Sequence, residues 1–182
     1  MISLLVIALI IILILILICL LLYGKYVKKE RLVLEMVTIR FVFIIYIILL
    51  GAVVWLIPTA NFGYLPFNLI PFKTIGNYVM SLMNGTIPVF VIVKNLAGNV
   101  LLLFPLGFLL PLQFSKLSIK KIIMLGVMIP IVIEGGQFIL YLLKFGTRSI
   151  DIDDVILNFI GYILGYFLVN IFKRRLYSKR RQ

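Results

Sequence analysis

The chain has no histidine and a single cysteine, Cys19. Without histidine it lacks the commonest metal ligand and the commonest general base, which excludes zinc sites and Ser-His-Asp triads; one cysteine excludes an intramolecular disulfide. Acids are also scarce, six Asp and Glu against 18 Lys and Arg, for a net charge of +12. Three of the six, Asp151, Asp153 and Asp154, crowd against an apolar run in RSIDIDDVILNFIGYILG, residues 148 to 165, and the others are Glu30, Glu35 and Glu134. Internal repeats, low-complexity linkers and a second domain are likewise missing.

What the chain has in quantity is hydrocarbon. Apolar residues make up 64% and the mean hydropathy is +1.24, against an apolar share of about 45–50% in soluble domains. Composition therefore specifies a polytopic membrane protein and leaves no room for a soluble basic domain. The basic residues stand beside the apolar runs, so they report membrane orientation and not a nucleic-acid partner.

Residues 2 to 23 carry no charge and as a helix reach about 33 Å, enough for a hydrocarbon core of about 30 Å. This run lacks the basic start and small-residue cleavage site of a signal peptide, and Ile18 before Cys19 does not suit a lipoprotein site, so it reads as an uncleaved anchor. Four more spans follow at about 40–57, 88–113, 122–143 and 154–172, with Trp55 at an interface. Pro105, Gly107 and Pro111 predict a kink or an early end in the third span. The fold class is all-α, a transmembrane bundle of about five spans.

With the N-terminus outside, the cytoplasmic side receives Lys25, Lys28, Lys29, Arg31, Arg40, Lys116, Lys120, Lys121, Lys173, Arg174, Arg175, Lys179, Arg180 and Arg181. The outer side keeps only Lys73, Lys94, Lys144 and Arg148. That bias sets the C-terminus in the cytoplasm. Three parts result: an anchor and basic loop over residues 1–39, a membrane domain over 40–172, and a basic tail over 173–182 suited to anionic lipid. The outer connection from Pro58 to about Ile87 has Ile75, Val79 and Leu82 at helical spacing, which fits a short interfacial helix or a plain loop.

Polar groups inside hydrocarbon are costly and usually face protein or water, so their positions mark candidate function. Counting residues places Asn95 roughly 10 Å and Asn99 roughly 16 Å below the outer boundary, and Glu134 and Gln137 roughly 13 Å and 9 Å below it. Asp151, Asp154, Asn158, Gly161 and Gly165 recur as one helical stripe, acidic at its outer end and small at its inner end. Arg148 is the strong cation beside them and suits a bidentate contact with Glu134 or Asp151. Asn95, Asn99, Glu134, Gln137, Arg148, Asp151, Asp154 and Asn158 are thus the candidate ligand-binding residues, with Glu134 the candidate acid or base. The plainer readings are helix-start caps for the aspartates, Asp153 capping or facing water, and interhelical hydrogen bonds for the amides.

Four stretches, NLIPFKTI (68–75), NLAGNVLLLFPLGFLLPL (95–112), IEGGQ (133–137) and RSIDIDDVILNFIGYILG, together resemble the VanZ-like family of bacterial membrane proteins. The likeness covers roughly residues 40 to 172 in the expected order. The family's recurring polar positions fall here on Asn99, Glu134, Gln137, Arg148, Asp151, Asp154 and Asn158. The resemblance implies a multi-pass protein of the bacterial cell membrane and a context of low-level teicoplanin resistance, but it supplies no reaction.

Two readings of the polar cluster follow. In the first, the protein binds an amphiphilic envelope ligand from the outer leaflet: a lipid-linked precursor, a phospholipid or a lipoglycopeptide. Arg148 and the amides hold its head and the apolar span faces its tail. In the second, it is an intramembrane enzyme acting on a lipid, with Glu134 as acid or base and Asp151 and Asp154 holding a divalent cation or orienting a substrate. The first requires no metal and no cofactor, and its expected partners are membrane lipids. The absence of an activated nucleophile or a phosphate-binding glycine loop places the second below it.

Overall fold

A computed structural model describes residues 32–56, 67–145 and 149–179, with side chains placed between residues 39 and 173 of these. The expected first span at residues 2–23 lies outside the described residues. Helix α1 (Leu32–Gly51) ends in a π-helical turn, Ala52–Leu56. A two-residue strand β1 (Phe67–Asn68) leads to a short helix α2 (Lys73–Asn84), and two long helices follow, α3 (Val89–Gln113) and α4 (Ile119–Leu142). Strand β2 (Ile150–Asp151) then runs directly into α5 (Ile152–Lys179).

Among the described residues, four segments are long and apolar enough to cross a membrane: Ile39–Leu56, Val89–Gln113, Ile119–Leu142 and Ile152–Lys173. These bounds lie within a few residues of those expected. The proline-bearing span does not end early, because α3 runs through Pro105 and Pro111 to Gln113. Of the alternatives for the long connection, the helix is the one formed. Only 28–33% of each span is buried inside the protein, so the rest of each apolar surface requires lipid. Ile44, Ile48, Val127, Ile131, Leu164 and Phe167 are among the exposed side chains that meet this requirement.

Helix α3 is the centre of the bundle, with Leu102, Leu103 and every residue from Pro105 to Pro111 buried. Its tightest neighbour is α5. A Cβ on Gly161 would stand 1.8 Å from the carbonyl oxygen of Val100, and one on Gly107 would stand 1.8 Å from that of Tyr162. The two glycines thus admit backbone against backbone from opposite sides of one seam, the close approach that small residues give in membranes. On the other flank of α3, the Tyr46 hydroxyl of α1 donates to the Leu102 carbonyl at 2.8 Å. At the end of the bundle remote from α2, Lys173 donates to the Pro111 carbonyl at 2.9 Å, serving one of the last four carbonyls of α3, which have no partner within the helix. Trp55 packs at an interhelical contact, with its indole N–H 3.5 Å from the Ile133 carbonyl of α4.

Strands β1 and β2 pair in parallel, Phe67 opposite Ile150 and Asn68 opposite Asp151. The pair is too short to alter the all-α class. It fixes the start of α5 against the start of α2, and so builds one end of the bundle.

Candidate functional site

The polar residues converge at this strand-bearing end. Asp151, in β2, is 6% exposed. Its Oδ1 accepts from Asn68 Nδ2 and from the Asp153 backbone N–H, both at 2.9 Å, and its Oδ2 accepts from the Thr74 hydroxyl at 2.5 Å. Asn68 Nδ2 also reaches Thr74 Oγ1 at 3.2 Å. The backbone N–H of Asp151 donates to Glu134 Oε2 at 3.3 Å. Asp151 therefore joins β1, α2, α4 and the start of α5 at one carboxylate and one amide.

Asp153 is fully buried. It neither faces water nor caps its own helix. Its Oδ1 accepts the Phe72 N–H at 2.5 Å and its Oδ2 the Ile75 N–H at 3.0 Å, so it caps the first turn of α2 from a different element. A carboxylate suits that position, since the opening N–H groups of a helix have no internal acceptors and carry the positive end of its dipole.

One turn deeper, Asn99 of α3 donates to Asp154 Oδ1 of α5 at 2.5 Å, and Asn95 donates to the Tyr78 hydroxyl of α2 at 2.7 Å. The Tyr78 hydroxyl is pushed above its ordinary pKa, first by desolvation and then by the charges of Asp154 and Asp151, against the opposing effect of the Asn95 hydrogen bond. Between α2, α3 and α5 these groups enclose a cleft of about 140 Å³, close to the volume that accepts one benzene molecule. Thr74, Tyr78, Asn95, Asn99, Asp151 and Asp154 supply much of its polar lining, and Ser149 also lines it.

The predicted cluster is thereby divided. Asn95, Asn99, Asp151 and Asp154 share the cleft. Glu134, Gln137 and Asn158 are buried but are not among the residues lining it; Glu134 stands behind, on the backbone of Asp151. Asn158 is 1% exposed, and its Oδ1 finds no hydrogen-bond partner among the described residues. Arg148 lies outside the described residues. Asp151 also leaves the helical stripe, because α5 begins at Ile152 and the preceding residue is extended. The stripe of Asp154, Asn158, Gly161 and Gly165 stays on α5, and its glycines meet α3.

Tyr78, Thr74 and Asn68 were not singled out in the sequence. Asn68 and Thr74 lie in the NLIPFKTI stretch that carries the family likeness, and the amphipathic spacing of Ile75, Val79 and Leu82 places Tyr78 one position from the apolar face. Among the described residues, no group of three or more Asp, Glu, Cys or His side chains converges as a metal-ligand set.

A multi-pass bundle of lipid-exposed helices closed at one end by buried carboxylates defines an integral membrane protein of the bacterial cell membrane. The family model for VanZ/LLP1 matches residues 43–173, and the chain belongs to that family. A protein described as Protein VanZ from Enterococcus faecium is 24% identical over 157 residues, covering 86% of this chain and 82% of that protein. No solved structure matches the chain. The likeness read from the four sequence motifs is met over nearly the bounds expected for it.

Proposed function

We propose that the protein binds the polar head of an amphiphilic envelope ligand in the α2–α3–α5 cleft and so contributes to glycopeptide resistance of the teicoplanin type. The observation that carries this reading is the position of the cleft. A pocket lined by amides, hydroxyls and carboxylates is walled by α2 and α3, helices that also carry the exposed apolar side chains Val79, Met83, Val89 and Phe90, so the same two helices offer polar groups to a head and apolar surface to a tail. With the orientation given by the Lys and Arg count, this end faces outward, where lipid-linked precursors and lipoglycopeptides are met. Asn95 and Asn99 supply amide contacts, since each donates inward through Nδ2 and keeps a side-chain carbonyl oxygen as an acceptor. Arg148, the chain neighbour of cleft-lining Ser149, supplies a cation for an anionic part of the head.

The observations favour binding over catalysis. Glu134, the acid or base of the enzymatic reading, holds a backbone N–H behind the cleft. The test uses purified protein in nanodiscs titrated with teicoplanin and, separately, with a lipid-linked cell-wall precursor. Asn99→Leu and Arg148→Ala are each expected to weaken binding about ten-fold, the effect of losing about 1.4 kcal/mol of polar contact. Unchanged affinity for both probes in variants that remain folded would overturn the reading.

A further inference from the structure

The bonds made by Asp153 raise a question that its burial alone does not answer. Its two oxygens leave α5 and engage the N–H groups of Phe72 and Ile75, at the point where the chain turns into α2. Phe72 is held there at φ 64, a left-handed conformation that a bulky aromatic residue rarely adopts. Gly85 closes the other end of the helix at φ 63. Between these two turns α2 has no buried side chain, and Val79, Met80 and Met83 are exposed.

Its inner face is nonetheless a wall of the cleft, through Thr74, Ile75 and Tyr78. That wall is fastened by polar bonds: Phe72 and Ile75 to Asp153, Thr74 to Asp151, and Asn95 to Tyr78. A helix embedded by apolar packing keeps its place when one hydrogen bond is lost, whereas a helix held mainly by such bonds loses a large share of its anchorage.

We infer that α2 is a moving wall of the cleft and that Asp153 is the positioning residue that latches it. With both carboxylate oxygens engaged, the cleft is closed on the α2 side. With one released, Phe72 relaxes from its left-handed turn and α2 swings away. The service of this movement to a ligand rests on the function proposed above, while the movement itself does not. Asp153→Asn isolates the latch, because asparagine keeps the shape but offers one acceptor oxygen and turns an NH2 group toward the second N–H.

Since Cys19 is the only cysteine, Cys19→Ser gives a background for site-directed labels in the full chain in nanodiscs. Spin labels at Met80→Cys and Leu142→Cys report the position of α2. A second pair at Val127→Cys and Leu164→Cys reports the bundle, and alkylation of Leu96→Cys by a membrane-impermeant maleimide reports access to the cleft. Asp153→Asn is expected to lengthen and broaden the first distance and to raise alkylation about five-fold, the population change from losing one cap bond. The second distance stays as in the parent.

Thr74→Val, which removes the bond to Asp151, shifts both readouts in the same direction by less. An unchanged first distance and alkylation rate in Asp153→Asn, with the bundle pair native, would overturn the inference. If the bundle pair itself changes in that variant, Thr74→Val decides by the same two readouts. Teicoplanin titration of the same samples separates the two readings: a mobile α2 with parent affinity leaves the latch standing and removes its service to the ligand.

Discussion

Where α3 meets α5, Gly107 and Gly161 bring backbone to backbone, with no room for a Cβ on either side. Where α2 meets β2 and the start of α5, no side chain of α2 is buried and hydrogen bonds run to Asp151 and Asp153. The first contact selects its partner by shape. Lipid tails are as apolar as leucine, so only close packing distinguishes a helix from its solvent there. The second selects by direction, with each bond assigned to one donor and one acceptor. The difference teaches that the bundle and its cleft are separately specified, and that a change can remove one while sparing the other.

The sharpest way to break this comparison is a methyl group in the seam. Gly161→Ala places its Cβ 1.8 Å from a backbone oxygen, which cannot move as a side chain could. The loss of stability is expected at or above the upper end of the about 1–3 kcal/mol typical of overpacking, read by unfolding in mixed micelles. Next comes Glu134→Leu, which leaves the buried N–H of Asp151 without the acceptor it has at 3.3 Å. A loss of about 1–3 kcal/mol is expected in the same assay, together with loosening of the β1–β2 end detected by amide exchange.

Tyr78→Phe removes the acceptor of the Asn95 amide and is expected to cost about 0.5–1.5 kcal/mol. The parent protein offers a pH counterpart. Because folding raises the Tyr78 pKa, the stabilisation tied to its neutral hydroxyl is complete below the ordinary tyrosine value of about 10 and is lost as pH rises through the higher folded value. The difference between the 295 nm titrations of the parent and Tyr78→Phe should show this one tyrosinate forming later than an exposed tyrosine.

The smallest effect closes the comparison. Gly76→Ala in α2 meets nothing within 4 Å, so it is expected to be neutral or to stabilise by up to about 1 kcal/mol through helix propensity. Equal losses for Gly161→Ala and Gly76→Ala would mean that both regions pack by shape.

The spans were legible because hydrocarbon leaves a dense signal. Each run is long, poor in charge and bounded by basic or turn residues, and the four described spans fall within a few residues of the expected bounds. The glycine stripe was legible too, since Gly161 and Gly165 lie on the face of α5 that meets α3. The fate of the acids was not. Helical arithmetic assumed that α5 included Asp151, but pairing with Asn68 makes that residue extended and turns Asp153 inward. Such a pairing depends on two residues separated by 83 positions, and local periodicity carries no trace of it. Glu134 and Gln137 stand outside the cleft that Asn95 and Asn99 line for a similar reason. Residue counts give depth along a span but not the side of a neighbouring helix to which a side chain turns.

The pairing of Asn68 with Asp151 also sets an order of assembly. Everything on the β1 side of the cleft, and all of α3 and α4, is synthesised before the two residues that complete it. Glu134 and the first turn of α2 must await Asp151 and Asp153, and these enter only with the last span. During synthesis α1, α3 and α4 can meet before α5 is made, whereas the cleft is closed only once Asp151 and Asp153 have followed them. A chain stopped before residue 150 would carry Asn95, Asn99 and Tyr78 in full and still lack the carboxylates that complete the cleft.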